Sequence, residues 1–239
     1  EEIGSPESQR YVRMISRASA RAFILEPGLG TDGKLKTARK GVGRFRVLIH
    51  GEAAHSGLDP TSGASAIQEL ANVVHQLHGL TDLERGITVN VGVVQGGTRV
   101  NVKAAEAEAE VDVRVASMDD GEAVTRAIRG LTPRTPGTSL EVSGGIQAPP
   151  LERTPRNRRL WEAALAAGNR LGIELEEGTS GGASDGNTTS QYAATLDGLG
   201  SLGDGAHALH EHVVAKALPS RAALLAELLL SPVSAGDEC

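Results

Sequence analysis

Ten residues in the middle of the chain alternate strictly between charged and apolar side chains. They run from Glu106 to Val115 as EAEAEVDVRV. Only a strand with one solvent-exposed face and one buried face satisfies a period of two residues. The segment therefore predicts a β-strand in a sheet that is covered on one side.

The segments around this strand complete a predicted βαββαβ unit. Weaker alternation predicts strands at residues 44–50, 88–93 and 139–142. Two other segments carry apolar residues at spacings of three and four, which predicts two helices. These residues are Ile67, Leu70, Val74 and Leu77 in the first helix, and Val124, Ala127, Ile128 and Leu131 in the second. The resulting order is that of a ferredoxin-like α+β domain, an antiparallel sheet with helices on one face.

Two joints rich in Pro and Gly flank this unit, at residues 27–43 and 144–155. We therefore predict that residues 41–146 form an inserted domain, and that residues 1–40 and 147–239 together form an α/β domain. In the α/β domain the patterns predict a helix at 9–22, a short buried strand at 22–25 and a helix at 156–171. They also predict a C-terminal helix that begins with Pro219 at its first position. The residues of this helix that face inward are Leu224, Leu225, Leu228 and Leu229.

Composition excludes several classes of protein. The 239 residues carry a net charge of -6, which lacks the basic field that nucleic-acid binding needs. No apolar run approaches the roughly 20 residues that span a bilayer, so we expect no membrane insertion. The single Cys239 excludes an intrachain disulfide and favours a reducing compartment, so we expect a cytoplasmic protein.

Three groups of residues are candidate metal ligands. Glu1 and Glu2 are adjacent acids, which are also typical of a solvated surface. Glu26 directly follows the apolar run Phe23-Ile24-Leu25, where α/β folds place ligands, although such an acid can equally cap a turn. His207 stands in a Gly-containing loop, where a lone histidine is more often structural. Three histidines within six residues, with a carboxylate among them, make a metal site and a structural role equally good interpretations.

Two loops are candidates for handling a substrate. Residues 181–187 (GGASDGN) combine Gly with Ser and Asp, so their backbone N–H groups can hold an anionic oxygen, but a capped helix start explains the pattern equally well. Residues 51–60 place His55 on a loop between the first strand and first helix of the inserted domain. The GxGxxG dinucleotide motif is absent and no Lys stands in a phosphate-type loop, which argues against nucleotide binding.

Taken in order, these segments resemble the dinuclear-zinc exopeptidase and aminoacylase family, which includes glutamate carboxypeptidase, acetylornithine deacetylase and succinyl-diaminopimelate desuccinylase. The resemblance extends over essentially the whole chain. It is carried by Glu1-Glu2-Ile3-Gly4-Ser5, Leu25-Glu26-Pro27, Gly51-Glu52-Ala53-Ala54-His55-Ser56-Gly57, Asn101, Asp112-Val113-Arg114, residues 181–187, and Asp197-Gly198-Leu199-Gly200 leading into His207 and Glu211.

The resemblance implies a role for each matched residue. Glu1 corresponds to the general base that activates metal-bound water, with Glu2 and His207 as ligands of one zinc and Glu26 as a ligand of the other. His55 corresponds to the histidine of the lid domain that reaches across a dimer interface to the scissile carbonyl oxygen. Asn101 and Arg114 correspond to residues that hold the carboxylate end of the substrate, with Gly181 and Gly182 also lining the substrate site.

The sequence also departs from the family pattern. A His-x-Asp motif and a bridging Asp, which family members carry upstream of the double-Glu block, do not occur before Glu1, and Lys103 stands where the family usually has Pro. We therefore expect a C-terminal portion of an enzyme that binds two zinc ions, or other divalent ions, and cleaves an amide bond in an N-acyl amino acid or at the C-terminus of a peptide. The alternative is a non-catalytic dimerisation or interaction module. In both cases we expect a homodimer formed through the inserted domain, and for the enzyme a small-molecule or peptide substrate with a free carboxylate.

Overall fold

The computed structural model describes residues 7–232. By contacts the chain divides into two compact units, here called the split unit (residues up to 40 and from 149) and the inserted unit (residues 41–148). No helix of the described residues is long and apolar enough to cross a membrane. In chain order the elements are α1 (Gln9–Arg17), β1 (Arg21–Phe23), β2 (Leu35–Arg39), β3 (Gly41–His50), α2 (Ala66–His78), β4 (Thr88–Gly96), β5 (Glu106–Val115), α3 (Met118–Arg129), β6 (Ser139–Ala148), α4 (Pro155–Leu171), β7 (Glu177–Ser180), α5 (Asp185–Thr189), β8 (Ala194–Leu196), β9 (Gly203–Asp204), β10 (His212–Val213), a 3-10 turn (Ala215–Ala217) and α6 (Leu218–Leu230).

The inserted unit has the predicted βαββαβ order. Its four strands form one antiparallel sheet in the order β4-β5-β3-β6. In β5 the apolar residues are all buried and the charged residues are half-buried or exposed, as the strict alternation predicts. The ferredoxin-like arrangement of the inserted unit is confirmed.

The core of the inserted unit is built mainly from small aliphatic side chains, because the chain has few aromatic residues. Helix α2 begins at an N-cap, Ser65, whose hydroxyl accepts a hydrogen bond from the backbone of Gln68. Ser117 caps α3 in the same way. The buried core residues include Phe45, Val47, Ile49, Leu70, Val73, Leu77, Val89, Ala109, Val111, Val113, Val124 and Ile128.

Two expectations for this core are wrong in detail. The alternation predicted for β4 breaks at Gly92, where the pairing with β5 shifts by one residue, so that Val93 is 45% exposed. Such a β-bulge inserts one unpaired residue and turns the following side chains to the other face. On α2 the buried stripe runs through Ala66, Leu70 and Val73, which leaves Ile67 on the outer side of the helix.

The split unit is α/β, as predicted. β1 pairs with β8 in parallel, and β2 pairs with β7 in parallel. A bridge between Lys36 and Asp197 connects the two pairs. Helix α4 begins at the N-cap Thr154 and ends at Gly172, which adopts the left-handed conformation that glycine permits. The core around Trp161 contains Leu35, Leu160, Ala164, Ala167, Leu196, Leu199, Leu224 and Leu228.

The chain ends of the split unit differ from the sequence prediction in three places. α1 ends at Arg17 rather than near residue 22, because Arg21–Phe23 instead pair with β8. The short strand β1 is half-buried, and Leu25 beyond it is 58% exposed. On α6 the residues Leu224 and Leu228 are buried four positions apart, which places Leu229 away from the core at 60% exposed.

Candidate active site

His55 lies on the loop between β3 and α2 in the inserted unit, with its side chain exposed. Its Nδ1 atom accepts hydrogen bonds from the backbone N–H groups of Gly57 (3.2 Å) and Leu58 (3.0 Å). A ring nitrogen that accepts two N–H groups carries no proton, so the neutral imidazole holds its proton on Nε2. The loop therefore presents His55 as a hydrogen-bond donor at Nε2.

Asn101 lies beside His55. The carboxamide Nδ2 of Asn101 is 3.4 Å from Nε2 of His55. The backbone also joins the two segments, because Ser56 N–H donates to the carbonyl oxygen of Asn101 at 3.0 Å and His55 forms a bridge with Val102. Two predicted site residues that are 46 positions apart in sequence thus meet at one place, with the Asn101 carboxamide against the Nε2 edge of the His55 ring.

Arg114 lies on the charged face of β5 and forms an ion pair with Asp112. Its Nε and Nη2 atoms donate to the two carboxylate oxygens of Asp112 at 2.8 and 2.9 Å. This bidentate geometry is the one by which a guanidinium recognises a carboxylate. A substrate carboxylate that binds Arg114 has to share the guanidinium with Asp112 or displace it.

Glu26 follows β1 in the split unit, with its side chain about one-third exposed. Its Oε2 atom is 3.9 Å from Nη2 of Arg39. The backbone at Glu26 is fixed by the loop after β8, because Gly200 N–H donates to the Glu26 carbonyl at 2.9 Å. A Cβ at residue 200 would come within 2.1 Å of the carbonyl oxygen of Leu25, so this close approach requires glycine.

Arg39 and Asp197 organise the surroundings of Glu26. Arg39 Nε donates to Asp197 Oδ2 at 2.6 Å and Arg39 Nη2 donates to Oδ1 at 3.2 Å, and both side chains are almost fully buried. Arg39 Nη1 donates to the carbonyl of Gly182 at 2.9 Å, and the Ser184 hydroxyl donates to Asp197 at 2.7 Å. One ion pair thus holds the loop after β7 and the loop after β8.

Lys36 is the second buried cation of this region. It is only 7% exposed. Burial, together with the positive charge of Arg39, lowers the pKa of the Lys36 ammonium, while Asp197 and Glu26 partly oppose that change. Glu26, Lys36, Arg39 and Asp197 therefore form a cluster of two acids and two bases.

Gly181 and Gly182 lie in the loop between β7 and α5. Helix α5 has only five residues, and its start is a capping box in which Ser184 and Asn187 exchange side-chain and backbone hydrogen bonds. The backbone N–H groups of Ser184 and Gly186 are engaged within this box. Gly182 N–H lies 3.4 Å from the hydroxyl of Ser180. The capped helix start, one of the two interpretations of this motif, is thus present.

His207 lies in the loop between β9 and β10, and its side chain is exposed. Its φ of 65° lies in the left-handed region, and within residues 7–232 it is the only residue other than glycine with such a value. This conformation is costly for a residue with a Cβ and is concentrated at functional sites. The hydrogen bonds from Ala208 to Gly205 and from Glu211 to Ala208 hold the loop.

The predicted site residues therefore fall into two groups. His55, Asn101 and Arg114 belong to the inserted unit, whereas Glu26, Gly181, Gly182 and His207 belong to the split unit. Glu1 and Glu2 lie outside the described residues. Within residues 7–232 no three His, Cys, Asp or Glu side chains are grouped closely enough to hold a metal ion.

Sequence reasoning gave no role to Arg39 or Lys36. Asp197 was open to the same inference as Glu26, because it also directly follows a short apolar strand. Arg39 offered no such signal, since a positive residue near a strand end is ordinarily solvated. Arg39 is distinguished only by its ion pair with Asp197, which lies 158 positions away in the sequence.

Comparison with known proteins identifies the inserted unit. Residues 37–135 match the M20 model described as the peptidase dimerisation domain. Residues 37–135 thus resemble an M20 peptidase dimerisation domain. The resemblance inferred from the motifs is thereby confirmed at the level of the M20 peptidases.

Relatives extend the M20 likeness beyond that domain. The chain is 27% identical over 242 residues to carboxypeptidase G2 of Pseudomonas sp. (strain RS-16). This alignment covers 96% of this chain and 57% of that protein. It is 44% identical over 94 residues to a peptidase M20 domain-containing protein of Schizosaccharomyces pombe, covering 37% of this chain and 23% of that protein. The chain thus spans little more than half of the first of these relatives.

Solved structures share the fold. Aminopeptidase PepT of Bacillus cereus matches with a TM-score of 0.78 at 21% identity, over 94% of this chain and 61% of that one. The YXEP protein of Bacillus subtilis, described as a dinuclear metal binding peptidase from the M20 family, matches with a TM-score of 0.62 at 20% identity, over 87% of this chain and 55% of that one. Both the α/β split unit and the inserted M20 dimerisation domain are thus of a known architecture.

Proposed function

We propose that this chain is part of a metal-dependent amide hydrolase that cleaves an N-acyl amino acid or the C-terminal residue of a peptide. The observation that carries the proposal is the match to carboxypeptidase G2, because it extends over both units and so includes both groups of candidate residues. Because the chain spans 57% of that relative, we assign the proposed activity to a protein of the relative's full length.

His55 is the proposed electrophilic residue. Its Nδ1 atom is held as an acceptor by two backbone N–H groups, so its Nε2–H is set to donate before any substrate binds. A donor that is already oriented stabilises the negative charge that develops on a carbonyl oxygen during attack. We assign this role to His55 in the homodimer, with the scissile carbonyl oxygen as the acceptor.

Asn101 and Arg114 are the proposed residues for the free carboxylate of the substrate. Arg114 already pairs with the carboxylate of Asp112 in bidentate geometry, which supports recognition of a second carboxylate by the same planar group. Asn101 places a neutral carboxamide next to His55. Gly181 and Gly182, in the split unit, are also proposed as substrate-binding residues.

Glu2, Glu26 and His207 are the proposed metal ligands, and Glu1 is the proposed general base. The described residues do not by themselves build a site with three ligands, so the metal assignment depends on the M20 likeness and on the chemistry of carboxylate and imidazole donors. Zinc is the proposed ion. When bound by such donors it supplies a water of lowered pKa. The left-handed backbone of His207 and the contact between Glu26 and Arg39 support functional placement of both residues.

The second candidate function is a non-catalytic dimerisation or interaction module. It is favoured by the lack of a three-ligand group in residues 7–232. In both proposals the chain forms a homodimer through the M20 dimerisation domain and works in the cytoplasm, without nucleic-acid or membrane partners.

Metal content and turnover distinguish these two functions. The chain of residues 1–239 and the longer protein from the same reading frame are each purified, and zinc is measured by mass spectrometry alongside hydrolysis of N-acyl amino acids and of peptides with a free C-terminus. We expect about two zinc ions and turnover in the longer protein, and substoichiometric zinc without turnover in residues 1–239. Glu1→Gln should abolish turnover, whereas His75→Gln on the outer side of α2 should leave it unchanged. A longer protein with neither zinc nor turnover would favour the interaction module.

A further inference from the structure

Lys103 is the only lysine between residues 41 and 148, and its ammonium lies against the His55 loop. Its Nζ atom donates to three backbone carbonyl oxygens, those of Pro60 (3.0 Å), Ser62 and Gly63 (3.4 Å). An ammonium has three N–H donors and no acceptor. All three donors of Lys103 are thus directed at one short stretch of backbone.

The stretch that Lys103 holds is the second half of the loop that carries His55. The base of this loop is closed without Lys103, because Glu52 and Ala64 exchange backbone hydrogen bonds of 2.8 and 2.9 Å. Between these two residues the backbone has to turn sharply, and Gly63 does so with a φ of +72°. Lys103 therefore restrains the returning half of the loop, from Pro60 to the residue that precedes its base.

Lys103 also belongs to the segment that carries Asn101. Its backbone N–H donates to the carbonyl of Ala54 at 2.9 Å, directly before His55. Its side chain then extends to the far side of the same loop. Through one residue the Asn101 segment is thus fixed to the loop both before and after His55.

Electrostatics support the same arrangement. Asp59 directly precedes the held stretch and accepts hydrogen bonds from Ser62 and Thr61. The hydrogen bond from Ser62 is the largest cause that lowers the pKa of Asp59, and the charge of Lys103 lowers it further. The ammonium therefore lies among carbonyl dipoles and near a carboxylate, which is a favourable environment for a cation.

We propose that Lys103 is a positioning residue that holds the His55 loop in the shape in which Gly57 and Leu58 donate to Nδ1, and so fixes the Nε2–H tautomer beside Asn101. The inference rests on the proposed function only in one respect, namely that the Nε2–H group of His55 serves as a donor to the substrate. In this role the ammonium of Lys103 contacts neither the His55 side chain nor a substrate. It acts through the backbone of residues 60–63.

The experiment uses residues 1–239 and two readouts that need no turnover. The first is amide hydrogen exchange over residues 52–64 compared with α2. The second is the nitrogen NMR shifts of the His55 ring, assigned by their loss in His55→Gln. In Lys103→Met we expect exchange of the 56–63 amides to accelerate about tenfold, with α2 unchanged, and the two ring nitrogens to shift toward the average of both tautomers.

Two variants control this test. Arg126→Met removes a positive charge from an exposed side chain of α3 and should change neither readout. In a Cys239→Ser background, Lys103→Cys should reproduce the effect of Lys103→Met. Alkylation of that cysteine with 2-bromoethylamine rebuilds a lysine-like ammonium and should restore both readouts.

Each outcome decides the proposal. An unchanged tautomer in Lys103→Met, or an acceleration spread evenly over residues 41–148, would overturn the positioning role. A longer protein without amidase activity would refute the proposed function and leave the role of Lys103 in the loop intact, because neither readout measures catalysis.

Discussion

Arg39 and Asp197 form a bidentate ion pair between residues that are 158 positions apart and almost fully buried. The pair joins Asp197, which directly follows β8, to Gly182 and Ser184 in the loop after β7. Two charges removed from water in this way are tolerated only when each is fully paired.

Removal of one partner should therefore be costly. We expect Arg39→Met to lower the free energy of unfolding of the split unit by about 3–5 kcal/mol, because Asp197 is left buried without its cation. Urea unfolding followed by the fluorescence of Trp161, the only tryptophan of the chain, measures this unit. The matched control is Arg170→Met, which breaks the exposed pair with Glu227 and should cost at most about 1 kcal/mol. Equal losses in both variants would contradict the assignment.

The stability of the inserted unit should fall in acid through Glu69. This carboxylate is fully buried on α2 and accepts hydrogen bonds from the backbone N–H groups of Arg134 (3.1 Å) and Thr135 (2.6 Å). Burial alone would raise the pKa of Glu69, but the hydrogen bonds from Thr135, Arg134 and Asn72 outweigh burial, so the pKa lies below its ordinary value of 4.5. Stability from this group is present above pH 4.5 and is lost as the pH falls through the lowered value.

The variant Glu69→Gln tests this pH dependence. We expect it to lower the free energy of unfolding by about 1–3 kcal/mol at pH 7 and to make the loss of stability below pH 4.5 shallower. Exchange of the buried β5 amides measures stability in the inserted unit. Glu122→Gln on the exposed side of α3 should change neither quantity. If stability falls as steeply in acid in Glu69→Gln as in the wild type, other carboxylates cause the acid dependence.

The proposed dimer should depend on β4, an edge strand of the sheet. Past the bulge this edge exposes Val93 and Val94, at 45% and 54%. An exposed apolar edge is a surface on which another strand can pair. We expect Val94→Lys to shift the sedimentation coefficient from that of two chains to that of one, with Leu83→Lys, which is 74% exposed in a turn, as the control. A wild-type chain that sediments as a monomer at micromolar concentration would refute the dimer.

Arg221 should be essential for the loop after β8. Its buried guanidinium donates to the carbonyl oxygens of Gly200 (3.0 Å), Gly33 (3.3 Å) and Gly198, and burial lowers its pKa. Arg221→Leu leaves these carbonyls without their donor, at about 1–3 kcal/mol for each that stays dry. We expect a loss of roughly 3 kcal/mol in the split unit by Trp161 fluorescence. Ser220→Ala, which removes an exposed hydroxyl one residue earlier, should cost well under 1 kcal/mol.

The periodic parts of the fold were predictable because their signal is local. The alternation from Glu106 to Val115 depends only on which face of a strand is buried, and it is confirmed residue by residue. The prediction failed for Val93 and Ile67, where a bulge and the packing side of a helix decide the exposure. Neither effect is encoded in a window of a few residues, because both depend on the partner strand or sheet.

The sequence by itself determined the βαββαβ order, the α/β class of the split unit, and which loops carry chemistry-bearing residues such as His55 and Asn101. Side-chain periodicity and turn residues act over short distances, so they can be read along the chain. Only the tertiary structure decided that Asn101 meets His55, that Arg39 pairs with Asp197, and that Lys103 holds the backbone of the His55 loop. These relationships join residues 40 to 158 positions apart, and their energies come from burial and hydrogen-bond geometry that exist only after the chain has folded.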